Sequence, residues 1–169
     1  EPRLPEVLKT PSGKIELAPP QLIADLDRLS EFCSLRVDES QMTLVGRRHL
    51  RSNNSWMHNI EVLVKGKERC TLHMHPRDAD RLGVTGEKRV RVTSRVGTVE
   101  APIEITDAIR VGVVSLPHGW GHSMSGTRTR VASLRAGVNS NVLTDENEID
   151  PLSGNSVLNG IPVTVTRIS

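Results

Sequence analysis

Arg89-Val-Arg-Val-Thr93 and Thr98-Val-Glu-Ala-Pro-Ile-Glu-Ile105 are the two segments that most clearly indicate the fold of this chain. In both segments apolar residues tend to alternate with polar or charged ones, which is the pattern of a half-buried strand. The short connection between them contains Val96-Gly97, so we predict that the two strands form a β-hairpin. This hairpin places the chain in the mainly β class.

Further short strands are predicted on both sides of the hairpin. In the N-terminal part they cover Lys14–Leu17, Met42–Val45, Ile60–Val64 and Thr71–Met74. In the C-terminal part they cover Val113–Leu116 and Ile161–Ile168. A set of about six short strands, with one or two helices packed at its ends, predicts a small β barrel.

Two short helices are predicted beside the strands. Between Pro20 and Phe32 three leucines recur at helical spacing, which indicates one amphipathic helix. Pro76–Leu82 begins with a proline and is followed by Gly83, which are start and stop signals of a helix. His75 directly precedes this second helix and is a candidate cap.

The length of 169 residues suits one domain, or one domain with an ordered arm. Five of the ten prolines lie within residues 1–20 and predict an extended arm. We therefore expect residues 1–35 to form an arm and a short helix that link to other domains. Residues 36–169 are expected to form the barrel.

Charge and cysteine content exclude several classes of partner. The net charge of +2 comes from 22 basic and 20 acidic residues that are largely intermixed, which argues against a nucleic-acid-binding surface. Cys33 and Cys70 are far apart, so a disulfide framework is excluded and a reducing, cytoplasmic compartment is favoured. No apolar run approaches the length that a bilayer requires, so we expect no membrane insertion.

Three polar segments are candidates for a ligand site. The first is Gly46–Asn59, which contains three arginines, several Asn and Ser residues, and Trp56. An arginine fork suits phosphate oxygens, and Asn and Ser suit the edge of a heterocycle. The alternative is a solvated loop in which these residues build turns. We interpret Trp56 as buried within this polar run, which favours a ligand site.

The other two segments lie in the C-terminal half. Leu116–His122 carries two glycines around a tryptophan, which would let the backbone approach a ligand closely, and its two histidines offer donors. The alternative is a strained turn whose tryptophan fills a hole. Gly137–Thr144 contains amides that suit a pterin-like or guanine-like edge, although its composition is also that of an ordinary loop.

A zinc site is an alternative chemistry. Cys70, His73 and His75 lie close in sequence, and with His118 or His122 they could complete a tetrahedral set. However, no His-x-x-x-His pair occurs on a helix with an acidic partner. A hydrolytic triad is favoured even less than zinc, because the chain has no Gly-x-Ser-x-Gly elbow. We therefore predict no metal ligands in this chain.

Several short motifs follow one another along the chain. The first are Thr10–Leu17, Gly46-Arg47 with Asn53–Trp56, and His75–Ala79. They are followed by Leu82–Glu87, Val90–Ser94 with Gly97, and Asn141–Thr144 with Asp150-Pro151. In this order they resemble the C-terminal region of bacterial molybdopterin oxidoreductases, a family that includes formate dehydrogenases, periplasmic nitrate reductases and sulfoxide reductases. The resemblance covers nearly the whole chain.

The resemblance implies a closed, six-stranded double-psi β barrel that binds molybdopterin guanine dinucleotide. In this family two such dinucleotides hold one molybdenum or tungsten ion, and N-terminal domains of the same polypeptide carry the metal ligand and the catalysis. The resemblance therefore implies a formate dehydrogenase-like oxidoreductase fragment that is inactive alone. The residues expected to bind the cofactor are Gly46, Arg47, Arg48, His49, Arg51, Ser52, Asn53, Asn54, Ser55, Trp56, His118, Gly119, Trp120, His122, Asn141, Leu143 and Thr144.

If this interpretation is correct, the three polar segments meet on one face of the barrel. Because half of the cofactor groove would belong to other domains, we expect the isolated chain to bind the cofactor weakly or not at all. Gly46–Asn59 and Ser123–Ser140 are then expected to be its least ordered parts. The alternative is a non-enzymatic barrel that binds a small molecule or a protein and shares only the fold.

Overall fold

The computed structural model describes residues 3–4, 6–34 and 38–168, and within these residues six strands form a closed barrel. The strands are β1 (Met42–Arg47), β2 (Leu72–Met74), β3 (Arg89–Thr93), β4 (Thr98–Ile105), β5 (Val113–Pro117) and β6 (Ile161–Arg167). Their order around the barrel is β1-β5-β2-β4-β3-β6, and β6 pairs with β1 to close it. The predicted closed, six-stranded barrel is confirmed.

The predicted hairpin is the most regular part of the barrel. β3 pairs antiparallel with β4 along its whole length. The alternation seen in the sequence is also the alternation of burial, because Val90 and Val92 are fully buried while their neighbours on β3 are not. At the turn, the hydroxyl of Ser94 accepts a hydrogen bond from the backbone N–H of Gly97. Local sequence and tertiary packing therefore favour the same register.

Two parallel pairings determine where the polar segments emerge. β1 lies parallel to β5 and β2 lies parallel to β4, whereas the other four pairings are antiparallel. Parallel neighbours end at the same edge of a sheet, and they need long crossover connections. The segments that follow β1 and β5 therefore leave the barrel side by side.

Four α-helices and two 3₁₀ helices accompany the strands in the described part of the chain. They are α1 (Pro20–Ala24), α2 (Leu26–Ser34), α3 (Glu61–Val64), α4 (Pro76–Arg81) and the 3₁₀ helices Ala132–Arg135 and Ser140–Leu143. The predicted cap of α4 is confirmed, because Nδ1 of His75 accepts a hydrogen bond from the N–H of Arg77 at 3.1 Å. None of the helices in these residues has the length and apolarity needed to span a bilayer.

The predicted strand Ile60–Val64 is wrong, because this segment forms helix α3. Only Val64 of the helix is buried. A short apolar run does not distinguish a strand from a helix by periodicity alone. Here every strand of the closed barrel already has a neighbour on both sides, so the sheet offers no place for a further strand.

Two expectations for the N-terminal segment are also wrong. Lys14–Leu17 is not a strand; instead, the hydroxyl of Thr10 donates a local hydrogen bond to the carbonyl of Lys14. The single helix expected from Pro20 to Phe32 is divided into α1 and α2. The break falls at Asp25, whose carboxylate accepts hydrogen bonds from Arg28 and thereby favours a new helical start.

Apolar side chains fill the barrel. They are aliphatic, because the chain contains few aromatic residues. The buried cluster includes Met42 and Leu44 of β1, Val114 and Leu116 of β5, and Val163 of β6. The chain divides into two compact units, Glu1–Val37 with Pro151–Gly154, and Asp38–Asp150 with Asn155–Ser169. The domain boundary expected between residues 35 and 36 lies outside the described residues.

Candidate cofactor-binding site

The first candidate loop begins at the end of β1 with a partly buried arginine. Arg47 donates hydrogen bonds to the carbonyls of Ser115 at 2.9 Å and Thr71 at 2.8 Å, and to Nε2 of His49 at 3.3 Å. The two bonds to carbonyls tie the end of β1 to β5 and to the residue that precedes β2. Together the three bonds leave few donors for a ligand, so direct phosphate binding by Arg47 stays a prediction that the contacts do not favour.

The next part of the loop presents polar groups to solvent. Arg48 is exposed and donates to Oδ1 of Asn54 at 3.0 Å. Asn53 and Asn54 adopt positive φ angles of 42° and 65°, which Asn tolerates better than most residues. Trp56 is 82% exposed, so the interpretation that it is buried is wrong. Its indole ring lies on the surface rather than inside the loop.

A buried histidine network lies beneath these exposed residues; we use this name for Ser52, His58, His122 and Trp120. His58 is 1% exposed, and its Nε2 lies 2.5 Å from Oγ of Ser52. Its Nδ1 lies 2.8 Å from Nε2 of His122. The ring of Trp120 stacks on that of His58 with centroids 3.9 Å apart. The network therefore joins the loop after β1 to the loop after β5.

The roles of the ring nitrogens depend on the tautomers, and the hydrogen-bond partners are compatible with the following assignment of protons. The hydroxyl of Ser52 donates to the carbonyl of Asn54 at 3.2 Å, so its oxygen is left to accept from Nε2–H of His58. Nδ1 of His58 then accepts from Nε2–H of His122. Burial, and next the charge of His122, lower the pKa of His58 to about 4. Burial also lowers the pKa of His122. Both rings are therefore neutral at pH 7.

The glycines that flank Trp120 bring the three loops together. Gly119 has a φ of +83°, and a Cβ there would lie 1.5 Å from the carbonyl oxygen of Asn54. Gly121 has a φ of +108°, and a Cβ there would lie 2.6 Å from Cβ of Asn139. The glycines were expected to let the backbone approach a ligand closely. In the structure the backbone at Gly119 and Gly121 approaches the other two loops instead. The predicted meeting of the three polar segments is confirmed.

Where the loops meet, they form an open cleft of about 170 Å³, which we call the cleft. Six of the expected cofactor residues line it: Gly46, Arg47, Arg48, His118, Asn141 and Thr144. Ser140 and Asn159 also line it, and neither was predicted from the sequence. Oδ1 of Asn159 accepts a hydrogen bond from the N–H of Gly46 at 2.7 Å, which fixes the end of β1.

Asn159 could have been suspected from the sequence, because Asn159-Gly160 directly precedes β6 and can support a turn there. His58 had no comparable signal. It lies inside the expected loop, but nothing in that polar run distinguishes a buried histidine from an exposed one. Ser140 belongs to a 3₁₀ helix that was interpreted as loop.

The other expected residues have mainly structural contacts or lie away from the cleft. Leu143 is fully buried in the barrel core, and Ser52 belongs to the buried network. His49 is partly buried, its Nδ1 has no partner among the described residues, and burial followed by the charge of Arg47 lowers its pKa. Arg51 and Asn53 are exposed. Their binding roles remain predictions.

The residues considered for zinc are used in other ways. Cys70 is buried and accepts a hydrogen bond from the N–H of Val138, and Nε2 of His73 lies 3.5 Å from the carboxylate of Glu104. His75 caps α4. Within residues 3–4, 6–34 and 38–168, no three His, Cys, Asp or Glu side chains are grouped so that they could hold a metal ion.

Comparison with known proteins supports the fold of this chain. In sequence, the chain is 30% identical to a tetrathionate reductase subunit of Salmonella typhimurium, and the match covers 56% of this chain and 11% of that protein. In structure, it resembles acetylene hydratase from Pelobacter acetylenicus with a TM-score of 0.68 and 22% identity, over 94% of this chain and 24% of that chain. The chain thus spans a small part of either protein, and the structural likeness supports a double-psi β barrel.

The family match covers the barrel from its first strand to its last. Residues 42–162 match the family model described as the molydopterin dinucleotide binding domain. This range begins with β1, includes all three polar loops and reaches the start of β6. The chain therefore belongs to the molydopterin dinucleotide-binding domain family of molybdopterin oxidoreductases.

Proposed function

We propose that this chain binds molybdopterin guanine dinucleotide for a molybdenum or tungsten oxidoreductase, and that the N-terminal catalytic domains of the same polypeptide hold the other side of the cofactor. The observation that carries the proposal is the meeting of three sequence-distant polar loops at one cleft. Loops placed together at one end of a rigid barrel are a common arrangement for a binding site.

The groups that line the cleft fit the chemistry of such a ligand. The guanidinium of Arg48 is exposed, and only one of its five N–H donors has a described partner, so it can bind phosphate oxygens. The amide of Asn141 is exposed and also lines the cleft, where it can both donate to and accept from a pterin or guanine edge. Arg51 adds a second exposed positive charge to the same loop.

The size of the cleft supports binding of only part of the dinucleotide. Its volume of about 170 Å³ is smaller than the roughly 300–1,000 Å³ of sites that enclose a whole drug-sized ligand. The remaining ligand surface then requires contacts from another part of the polypeptide. This is why we expect the isolated chain to bind weakly and to be inactive.

The cofactor supplies the redox chemistry when it is bound, and the protein supplies binding, orientation and electrostatics. In this chain Arg48 binds and neutralises an anionic group at the cleft. The buried histidine network holds the loop after β1 against the loop after β5, and thus fixes the shape of the cleft. The neutral state of both histidines keeps additional positive charge out of this network at pH 7.

The proposal can be tested by titrating the 169-residue chain with GDP while following backbone amide shifts. We expect shifts at Gly46, His118, Asn141 and Thr144, with a dissociation constant of about 1 mM or weaker because the contacts are exposed. Arg48→Gln should weaken binding several-fold, whereas Arg110→Gln, which removes an exposed charge outside the cleft, should not.

Two outcomes would contradict the proposal. If GDP caused no saturable shifts at the cleft, the cleft would not be a nucleotide site. If GDP bound with micromolar or tighter affinity, the site would be complete within this chain, and the expected contribution of other domains would be wrong.

A further inference from the structure

A second and larger cavity lies in the barrel unit and shares no lining residue with the cleft. Its volume is about 760 Å³, within the range of small-molecule sites. One side of it is formed by α3 and the segment that follows this helix, and the other side by residues 130–137. Val64, Cys70 and Trp120 are its buried lining residues. We call it the basic cavity for the charges described next.

Positive charge is concentrated around this cavity. Five of its lining residues are basic: Lys65, Lys67, Arg69, Arg130 and Arg135. Two lining residues, Glu61 and Glu68, are acidic, so the formal charge of the lining is +5 − 2 = +3. The whole chain has a net charge of only +2. A concave, cationic surface of this kind attracts anions.

Two of the guanidinium groups are held in place by backbone carbonyls. Arg69 donates to the carbonyls of Leu63 at 2.8 Å and Lys65 at 3.0 Å, and Arg135 donates to the carbonyl of Gly66 at 2.8 Å. Each guanidinium has five N–H donors, so each retains donors beyond these bonds. Because their positions are already fixed, little side-chain entropy is lost when an anion binds.

Trp120 also belongs to the lining of this cavity. It is 8% exposed, and its indole Nε1 has no hydrogen-bond partner among the described residues. Buried polar atoms without a partner are uncommon, and each needs an explanation. Gly137 packs closely against two other lining residues, since a Cβ there would lie 2.9 Å from both Sγ of Cys70 and Cβ of Trp120.

We propose that the basic cavity is a second binding site, distinct from the cleft, for a small, multiply charged anion that carries phosphate groups. Arg69 and Arg135 provide fixed guanidinium forks, and Lys65 and Arg130 provide mobile positive charge at the rim. This site does not depend on the proposed function, because none of its residues lines the cleft. Since Trp120 also stacks on His58, an occupant of the cavity would contact the residue that supports the first cofactor loop.

The site can be tested with inorganic pyrophosphate, orthophosphate and GDP in separate titrations of the ¹⁵N-labelled 169-residue chain. The chain has two indole N–H signals, from Trp56 and Trp120, and Trp56→Phe assigns them. We expect pyrophosphate to shift the Trp120 indole signal and the amides of residues 65–69 and 130–137 in a saturable way. Added salt should weaken this binding.

Two double variants that remove the same number of charges distinguish specific binding at the cavity from nonspecific electrostatic attraction. Lys65→Gln with Arg130→Gln removes two rim charges and should weaken pyrophosphate binding at least tenfold. Lys88→Gln with Arg110→Gln removes two exposed charges that do not line the cavity, and should leave binding within twofold. If GDP binds this cavity more tightly than pyrophosphate does, the ligand is a nucleotide; equal affinity indicates a phosphate group alone.

Three results would overturn the proposal. They are the absence of saturable shifts at the Trp120 indole and residues 130–137, an equal loss of binding in both double variants, and shifts restricted to the cleft. The last result would locate the anion site at Gly46 and Asn141 and would leave the proposed function intact. Conversely, GDP shifts at the basic cavity with none at the cleft would support this site and contradict the proposed function.

Discussion

The buried histidine network joins two of the three loops that line the open cleft, and both features contain polar residues, yet they differ in burial and in bonding. In the network, Ser52 and His58 are buried and each has described hydrogen-bond partners. At the cleft, Arg48 and Asn141 are exposed and retain donors. The difference teaches that polar composition identifies a loop region, whereas burial decides which of its residues support the fold and which can bind a ligand.

The largest effect should come from the glycine at which the two loops touch. Gly119→Ala places a methyl group on the carbonyl of Asn54 at a positive φ, so we expect the free energy of unfolding to fall by about 4 kcal/mol. Gly86→Ala is the matched control, because its φ of +89° is similar but nothing lies within 4 Å of the added Cβ. It should cost only about 1 kcal/mol in urea unfolding. If both variants lost the same free energy of unfolding, the contact between the two loops would not contribute to stability.

The next effect concerns the network itself. His58→Ala removes two hydrogen bonds and a stacked ring, and should lower the free energy of unfolding by about 3 kcal/mol. His118→Ala changes a half-buried histidine at the cleft and should cost less than about 1 kcal/mol. Denaturant unfolding at pH 7 measures both. A cost for His118→Ala as large as that for His58→Ala would remove the distinction between network and cleft.

Acid should weaken the buried histidine network. The pKa of His58 is lowered to about 4 in the folded chain and is about 6.5 when unfolded, so only the unfolded state gains this proton between these values. The contribution of His58 to stability should therefore be constant above pH 7 and fall by roughly 2 to 3 kcal/mol as the pH drops from 6.5 to 4. His58→Gln should flatten this part of the profile. An unchanged profile in the variant would assign the acid sensitivity to other groups.

The smallest effect compares two neighbouring amides at the third loop. Oδ1 of Asn139 accepts a hydrogen bond from the N–H of Asn141 and caps the following 3₁₀ helix, so Asn139→Ala should cost about 1 kcal/mol. Asn141→Ala should change stability by less than about 0.5 kcal/mol, because Thr144 bonds its backbone carbonyl and not its side chain. It should instead weaken GDP binding at the cleft. The reverse pattern would exchange the roles assigned to the two residues.

Much of the fold could be predicted because it depends on local signals. Alternation predicted β3 and β4, and a proline followed later by a glycine predicted α4 nearly to the residue. Ile60–Val64 was misassigned because four or five apolar residues satisfy either period. Which alternative forms depends on whether the barrel has a free strand position, and that is determined by distant residues.

The site could be predicted as a set of loops, but not residue by residue. The Gly-Trp-Gly pattern correctly indicated a close backbone approach around Trp120. The two tryptophans, however, have opposite environments: Trp56 is exposed and Trp120 is buried against His58. Both stand in polar segments, so composition alone could not separate them. The burial of Leu143 in the core could not be predicted either, because a single apolar residue in a loop carries no periodicity.

The pairing of β1 affects how the chain folds. Thr43 pairs with Val113, 70 positions further along the chain, and Met42 pairs with Val163, 121 positions further along. Contacts between such distant positions require large loop closures, which slow folding. During synthesis, β1 cannot acquire both of its neighbours until residues 161–163 have left the ribosome. Until then its edges are open to wrong partners, so a chaperone that shields this strand should increase the yield of folded protein.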